Sequence, residues 1–264
     1  MSEFDLLIRG GTIATASDVF AADIGITDGR IVALGTALGA GDREIDARDR
    51  LVLPGGVDTH CHVEEPPAGE VWNADTFASA TASAAAGGTT TIIPFCTQEK
   101  GGLIGANLRA YHARAGQALV DYAFHMIIAD PSPAALAELP GLIAKGHRSL
   151  KIFLTYDAIA VDDAQILQVL ALARREGAQV CIHAENHAAI AYLTAALERA
   201  GLTRPEYHAW AKPIVVEREA CHRVIALAEL LDTPIHIFHV SGAEPAEEIR
   251  RHRPAASRSP PRPA

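Results

Sequence analysis

Apolar and polar positions change rhythm once along the chain, near residue 52. Before that point, short β-rich runs alternate with turn residues. Asp5-Leu6-Leu7-Ile8-Arg9 is followed by Gly10-Gly11 and Thr12-Ile13-Ala14-Thr15. Residues 23–26 and 30–34 flank Asp28-Gly29. An Asp-Gly pair between two such runs predicts a tight hairpin. No helical period appears here, so residues 1–53 are expected to form a small all-β module.

Beyond residue 52 apolar strands alternate with helical segments. Strands are expected at 52–57, 89–95, 122–129, 149–154, 178–182 and 234–238. Helices are expected near 73–86, 103–117, 133–145, 162–176 and 217–231, with an extra one at 187–200. Gly87-Gly88 closes one helix; Asp162-Asp163 opens another, which Gly177 closes. Nearly continuous apolar strands alternating with helices imply a parallel sheet covered on both faces. Spacing alone does not separate a barrel from an open doubly wound sheet.

The pattern ends in an amphipathic helix start, with Glu244, Glu247, Glu248 and Ile249, that runs to Arg251. Composition then turns abruptly to Pro, Arg, Ser and Ala over residues 252–264. Such a run forms neither strand nor helix. One reading is a disordered tail, which is common; the favoured one is an aberrant tail from a frameshift or premature end inside a longer gene, because the repeats stop at about six rather than eight.

Composition narrows the function classes. The 264 residues are 49% hydrophobic, enough for a large core, and carry a formal net charge of -9. That balance argues against nucleic acid and anionic membrane as partners. No apolar run reaches membrane-spanning length, and the first residues lack the marks of a signal peptide. Cys61, Cys96, Cys181 and Cys221 are scattered, as expected of reduced thiols in a cytoplasmic protein.

The strongest local signal is Asp58-Thr59-His60-Cys61-His62, directly after the first strand of the second region. Alternation along a strand turns His60 and His62 to one face, where two imidazoles can grip a divalent ion. Lys151 stands inside Leu150-Lys151-Ile152-Phe153-Leu154. Burial in such a strand lowers a lysine's pKa and leaves a neutral amine able to react with carbon dioxide. The carbamate would be an anionic bridge for two metals. His183 and His239 end the fifth and sixth strands. Any one of these is more often structural than functional. Ligand-type groups at the C-terminal ends of strands one, four, five and six are hard to reach by accident, and that is where barrel enzymes keep their sites. His236 is assigned to packing on the face opposite His239. His112, His147, His222 and His252 are assigned mostly to solvent, and His125, His187 and His208 are left open.

The order His-x-His, Lys, His, His resembles the amidohydrolase superfamily, and within it the dihydropyrimidinases and hydantoinases. The resemblance covers roughly residues 5 to 251. It rests on Pro-Gly-Gly-Val-Asp-Thr-His-Cys-His, on Ala86-Gly87-Gly88-Thr89-Thr90-Thr91, and on Lys151-Ile152-Phe153-Leu154-Thr155-Tyr156. His183-Ala184-Glu185-Asn186 and His239-Val240-Ser241-Gly242 complete it. It implies an incomplete (β/α)8 TIM-type barrel over 54–251, with residues 1–53 forming part of a small N-terminal β-sandwich domain. It implies two divalent metals, zinc foremost. His60 and His62 would hold the more buried ion, carboxylated Lys151 would bridge, and His183 and His239 would hold the second. Tyr156 would hydrogen-bond the carbonyl oxygen as it becomes an oxyanion. The implied reaction is hydrolysis of a cyclic amide such as a 5,6-dihydropyrimidine or a hydantoin, giving an N-carbamoyl amino acid. The implied assembly is a homotetramer. The family's catalytic aspartate follows an eighth strand that this sequence does not contain, and Asp130 is no substitute by position. The chain as written is therefore expected to be inactive and poorly stable.

Allantoinases and dihydroorotases share the metal frame. Dihydroorotases usually carry an arginine soon after His-x-His, whereas this chain has Val63-Glu64-Glu65-Pro66-Pro67. Glu65-Pro66 resembles allantoinases, while Asn73-Ala74-Asp75-Thr76-Phe77 and the segment 205–210 favour dihydropyrimidinase. Some relatives are non-catalytic scaffolds that have lost their ligands; five retained ligand positions argue against that.

Overall fold

The computed structural model describes residues 2–65 and 70–252. Two compact units are present, Met1–Val57 with Gly88–Thr90, and Asp58–Gly87 with Thr91–Ala264. Apart from His252, the aberrant tail expected over 252–264 lies outside the described residues.

The first unit contains one mixed sheet built from β1 (Phe4–Ala14), β2 (Val19–Thr27), β3 (Arg30–Gly35), β4 (Gly41–Asp46) and β5 (Leu51–Val52). The order is β3-β2-β1-β4, with β5 also on β1. The expected hairpin is present. Asp28 and Gly29 have φ of 51° and 70°, the left-handed pair that joins antiparallel β2 and β3 with matching twist. The two runs separated by Gly10-Gly11 form a single strand. It stays continuous because Gly10, at φ 69°, absorbs an irregularity in register between Ile8 and Gly11.

The second sheet contains β6 (Gly56–Cys61), β7 (Thr89–Thr97), β8 (Asp121–Tyr122), β9 (His125–Ile127), β10 (Ser149–Phe153), β11 (Gln179–His183) and β12 (Ile235–Phe238). The order is β12-β11-β10-β9-β7-β6, with β8 on β7. The pairs of β7 with β9, β9 with β10, β10 with β11 and β11 with β12 are all parallel. Six strands in this order, with helices between them, form the arc of an incomplete (β/α)8 barrel. The helices are α1 (Phe77–Ala86), α2 (Ile104–Ala115), α3 (Pro133–Ala144), α4 (Asp163–Glu176), α5 (His187–Arg199), α6 (His208–Ala211), α7 (Ile214–Leu230) and α8 (Ala243–His252).

Both faces of the central strands are buried, and they differ. Met126, Leu150, Ile152, Val180 and Ile182 point to the helices and join the main core with Leu139, Val169 and Val224. Alternate residues Phe95, Ile127 and Phe153 form a second cluster on the opposite face, with Phe238 packed against it. This second face carries Lys151, since Phe153 lies two residues further along the same strand.

Two expected elements fall elsewhere. The first barrel strand is not 52–57. Leu51-Val52 pairs with β1 of the other sheet, Pro54 offers no amide hydrogen, and the barrel strand runs Gly56–Cys61, so His60 lies inside it. The strand expected over 122–129 is split into β8 and β9, which pair with different stretches of β7. The capping signals behave as expected. Asp162 and Gln165 form a capping box on α4, and Gly177 closes that helix at φ 69°.

Gln98 ties the ends of β7 and β9 together. Its Nε2 donates to the carbonyls of Gly102 (2.8 Å) and Asp130 (2.9 Å), and its Oε1 accepts from Ala129 and Asp130 amides, both at 3.0 Å. The side chain is buried, so Gln98→Ala would strand four backbone groups. We expect a loss of about 2–4 kcal/mol, read from urea unfolding; a loss under about 0.5 kcal/mol would mean that water replaces the amide.

Candidate metal centre

The C-terminal ends of β6, β10, β11 and β12 bring five of the expected residues together. His60 and His62 share a face as alternation requires, their ring centroids 5.5 Å apart and each near Phe95, at 4.6 and 4.8 Å. His60 lies 4.4 Å from His239, and His239 5.1 Å from His183. His239 reaches this group by breaking alternation. At φ 58° the chain turns left-handed as β12 ends, and the ring comes round to the side that Phe238 occupies.

That turn corrects the reading of His236. It shares the face of Phe238, at 4.9 Å, and is exposed rather than packed. The supposed opposition to His239 fails because strand geometry ends one residue before His239. Of the undecided histidines, His125 is a brace. Its Nε2–H donates to the Thr59 carbonyl at 2.9 Å, and its Nδ1 accepts from Ser149 Oγ–H at 2.6 Å. It thereby pins the backbone just before His60. His187 bonds Thr155 and Asp157, and His208 begins α6.

Lys151 is the centre of the arrangement. It is 0% exposed, and its Nζ is a buried nitrogen with no hydrogen-bond partner among the described residues. Phe238, Phe153 and Phe95 rings lie 4.2, 4.7 and 5.8 Å from it. Burial in this apolar nest pulls its pKa from 10.5 down to about 7, so a neutral amine is accessible near neutral pH. Burial is also the main reason the His60 pKa falls to about 4, with further lowering from His239 and Lys151. His239 is lowered too, by burial first and then by Lys151, His183 and His62, while Glu185 opposes.

Two carboxylates fix imidazole tautomers. His62 Nδ1–H donates to Glu65 at 2.8 Å, which in the neutral ring puts the lone pair on Nε2. His183 Nε2–H donates to Glu185 at 2.7 Å, which leaves Nδ1 bare. Carboxylates behind ligating histidines commonly play this part. Glu185 also accepts from Lys212 Nζ at 2.9 Å, and its pKa falls to about 2, mainly through the His183 bond. Among the described residues, no group of three His, Cys, Asp or Glu side chains is by itself arranged to hold a metal ion.

Tyr156 follows β10 in a left-handed conformation, φ 73°, and is 44% exposed. Its ring lies 5.3 Å from that of His183, with Lys212 Nζ 5.4 Å from its centre. Glu65, Glu185, Lys212 and the phenylalanines were not singled out as site residues from sequence. The available signal was spacing, since Glu185 lies two residues past His183 and Glu65 three past His62.

The chain is similar in sequence and fold to known proteins. A model of the amidohydrolase family matches residues 51–229. A D-hydantoinase of Ralstonia pickettii is 43% identical over 249 residues, 94% of this chain and 54% of that protein. A dihydropyrimidinase of Arabidopsis thaliana is 35% identical over 257 residues, 96% of this chain and 48% of that protein. A solved D-hydantoinase structure superposes with a TM-score of 0.91 at 42% identity, covering 94% of this chain and 55% of that one. The chain thus spans about half the length of the curated relatives it matches.

Proposed function

The chain belongs to the amidohydrolase family, in its hydantoinase branch, and from that premise we propose that it carries the metal-binding side of a cyclic-amide hydrolase centre. The substrates are 5,6-dihydropyrimidines or hydantoins, and the products N-carbamoyl amino acids. The observation that carries this reading is the fully buried Lys151 amine, without a hydrogen-bond partner among the described residues, beside four clustered histidines. Hydantoinases of this family are metal-dependent, which supports divalent metals generally.

The donor set fits such ions. His60 and His62 would hold one, His183 and His239 the other, and Lys151 as its carbamate would lie between them, with zinc foremost. The neutral amine takes up carbon dioxide and releases one proton, turning an orphaned nitrogen into an anion that metals can satisfy. When bound, two such ions lower the pKa of water and polarise the substrate carbonyl. The chain's own groups do the rest. Phe95, Phe153 and Phe238 keep water from Lys151 and so keep its amine reactive. Glu65 and Glu185 hold His62 and His183 in the tautomers that ligation needs. Tyr156 O–H donates to the carbonyl oxygen as charge builds on it. The same reading places residues 1–53 in part of a small β-sandwich and 54–251 in the barrel, with a homotetramer in the cytoplasm as the working form. Among the described residues no helix is long and apolar enough to cross a membrane.

Ring opening of hydantoin and dihydrouracil, followed by ultraviolet absorbance for the protein that carries this chain, tests the proposal. Metal-dependent turnover of either ring supports it. A metal-loaded protein that opens neither ring would remove the assignment.

A further inference from the structure

α7 contributes a residue that the motif resemblance does not include. Glu217 lies in its first turn and is only 8% exposed. Both of its carboxylate oxygens are used by one loop residue: Ser241 N–H donates to Oε1 at 2.8 Å, and Ser241 Oγ–H donates to Oε2. Ser241 is two residues past His239, whose left-handed φ of 58° is unfavourable for a residue with a β-carbon. Such a conformation persists where its surroundings over-determine it. The loop also touches α7 at the next residue, because a β-carbon on Gly242 would lie 2.2 Å from Ile214 Cδ1. Loop and helix are therefore locked at two successive positions.

We propose that Glu217 is a positioning residue for His239. Through Ser241 it holds the turn after β12 in the left-handed form that brings this imidazole beside those of His60 and His183. It touches no metal itself. The inference rests on His239 being a ligand of the second ion. The helix that follows has its own ties to α7, Arg218 to Glu244 at 2.6 Å and His222 to Glu248 at 3.1 Å. Loss of the clamp therefore loosens the turn without releasing α8.

The test has two readouts, on Glu217→Gln and Ser241→Ala, with Ser241→Thr as the conservative control. In the metal-free chain, amide hydrogen exchange over 239–242 should quicken by about tenfold or more in the first two variants, with α8 unchanged. In zinc titrations with bicarbonate present, both should keep the uptake step assigned to His60 and His62. Both should weaken by about tenfold to a hundredfold in the step that uses His239, and Ser241→Thr should bind as wild type. The double variant should lose no more than the worse single one, since both act through one contact. Unchanged exchange over 239–242 would overturn the proposal whatever the metal data, and so would equal weakening of both steps. A wild-type chain that binds no zinc, with exchange altered as expected, would remove the ligand reading of His239 while leaving the loop clamp established.

Discussion

Replacing Lys151 with methionine is expected to make the metal-free, bicarbonate-free chain more stable while destroying its capacity to bind metal. The folded chain buries an amine with no partner among the described residues, against three aromatic rings. The unfolded lysine keeps its proton up to about 10.5, whereas the folded one loses it near 7. Between these values the unfolded state binds more protons, so stability rises as pH rises from 7 toward 10.5. Below 7 the cost is fully present. Methionine fills the same apolar nest without that cost, and we expect a gain of roughly 2–5 kcal/mol at pH 6, shrinking as pH rises. Thermal melts of both chains across this range read it directly. A variant less stable than wild type at pH 6, or a parallel pH dependence in the two chains, would show that the amine is hydrated. On the proposed reading the cost is offset when carbon dioxide and metal turn the lysine into an anionic ligand.

In the protein that carries this chain, removing the Tyr156 hydroxyl should slow ring opening by about a hundredfold to a thousandfold in kcat, with metal content unchanged. The tyrosine's backbone and ring are both held in place. Its left-handed backbone is fixed by Ile159 and Ala160 amides, which donate to its carbonyl at 3.0 and 2.8 Å. Its ring leans on His183 and leaves nearly half the residue open to solvent. Phenylalanine keeps the backbone, the ring contacts and the nearby Lys212, and deletes only the donor. A substrate-binding role would raise KM and spare kcat. A kcat within threefold of wild type would assign the oxyanion to another donor.

Much of this architecture was legible because local chemistry and tertiary context agree. The Asp28-Gly29 turn, the Asp162–Gln165 capping box and the strict alternation of His60 and His62 are each fixed by near neighbours. Lys151 was legible for the opposite reason, a charge-bearing side chain where the pattern demanded an apolar one. What stayed hidden depends on contacts between distant segments. The swap of Leu51-Val52 to the other sheet follows from pairing with β1, which no local pattern encodes. Strand parity put His236 and His239 on opposite faces because it cannot foresee a left-handed turn clamped by Glu217 from 22 residues upstream. Glu185 and Lys212 look like surface charges until the end of β11 and the end of α6 join them, with Glu185 bonded to His183.

The central claim is that five residues from four strand ends form one binuclear centre completed by a lysine carbamate. Metal content after exposure to zinc, with and without bicarbonate, tests it most directly on wild type and Lys151→Met. The expected result is about two ions per wild-type chain with bicarbonate, a marked drop without it, and none retained by the variant in either condition. Two ions bound equally well by Lys151→Met, or none bound by wild type with bicarbonate present, would contradict it.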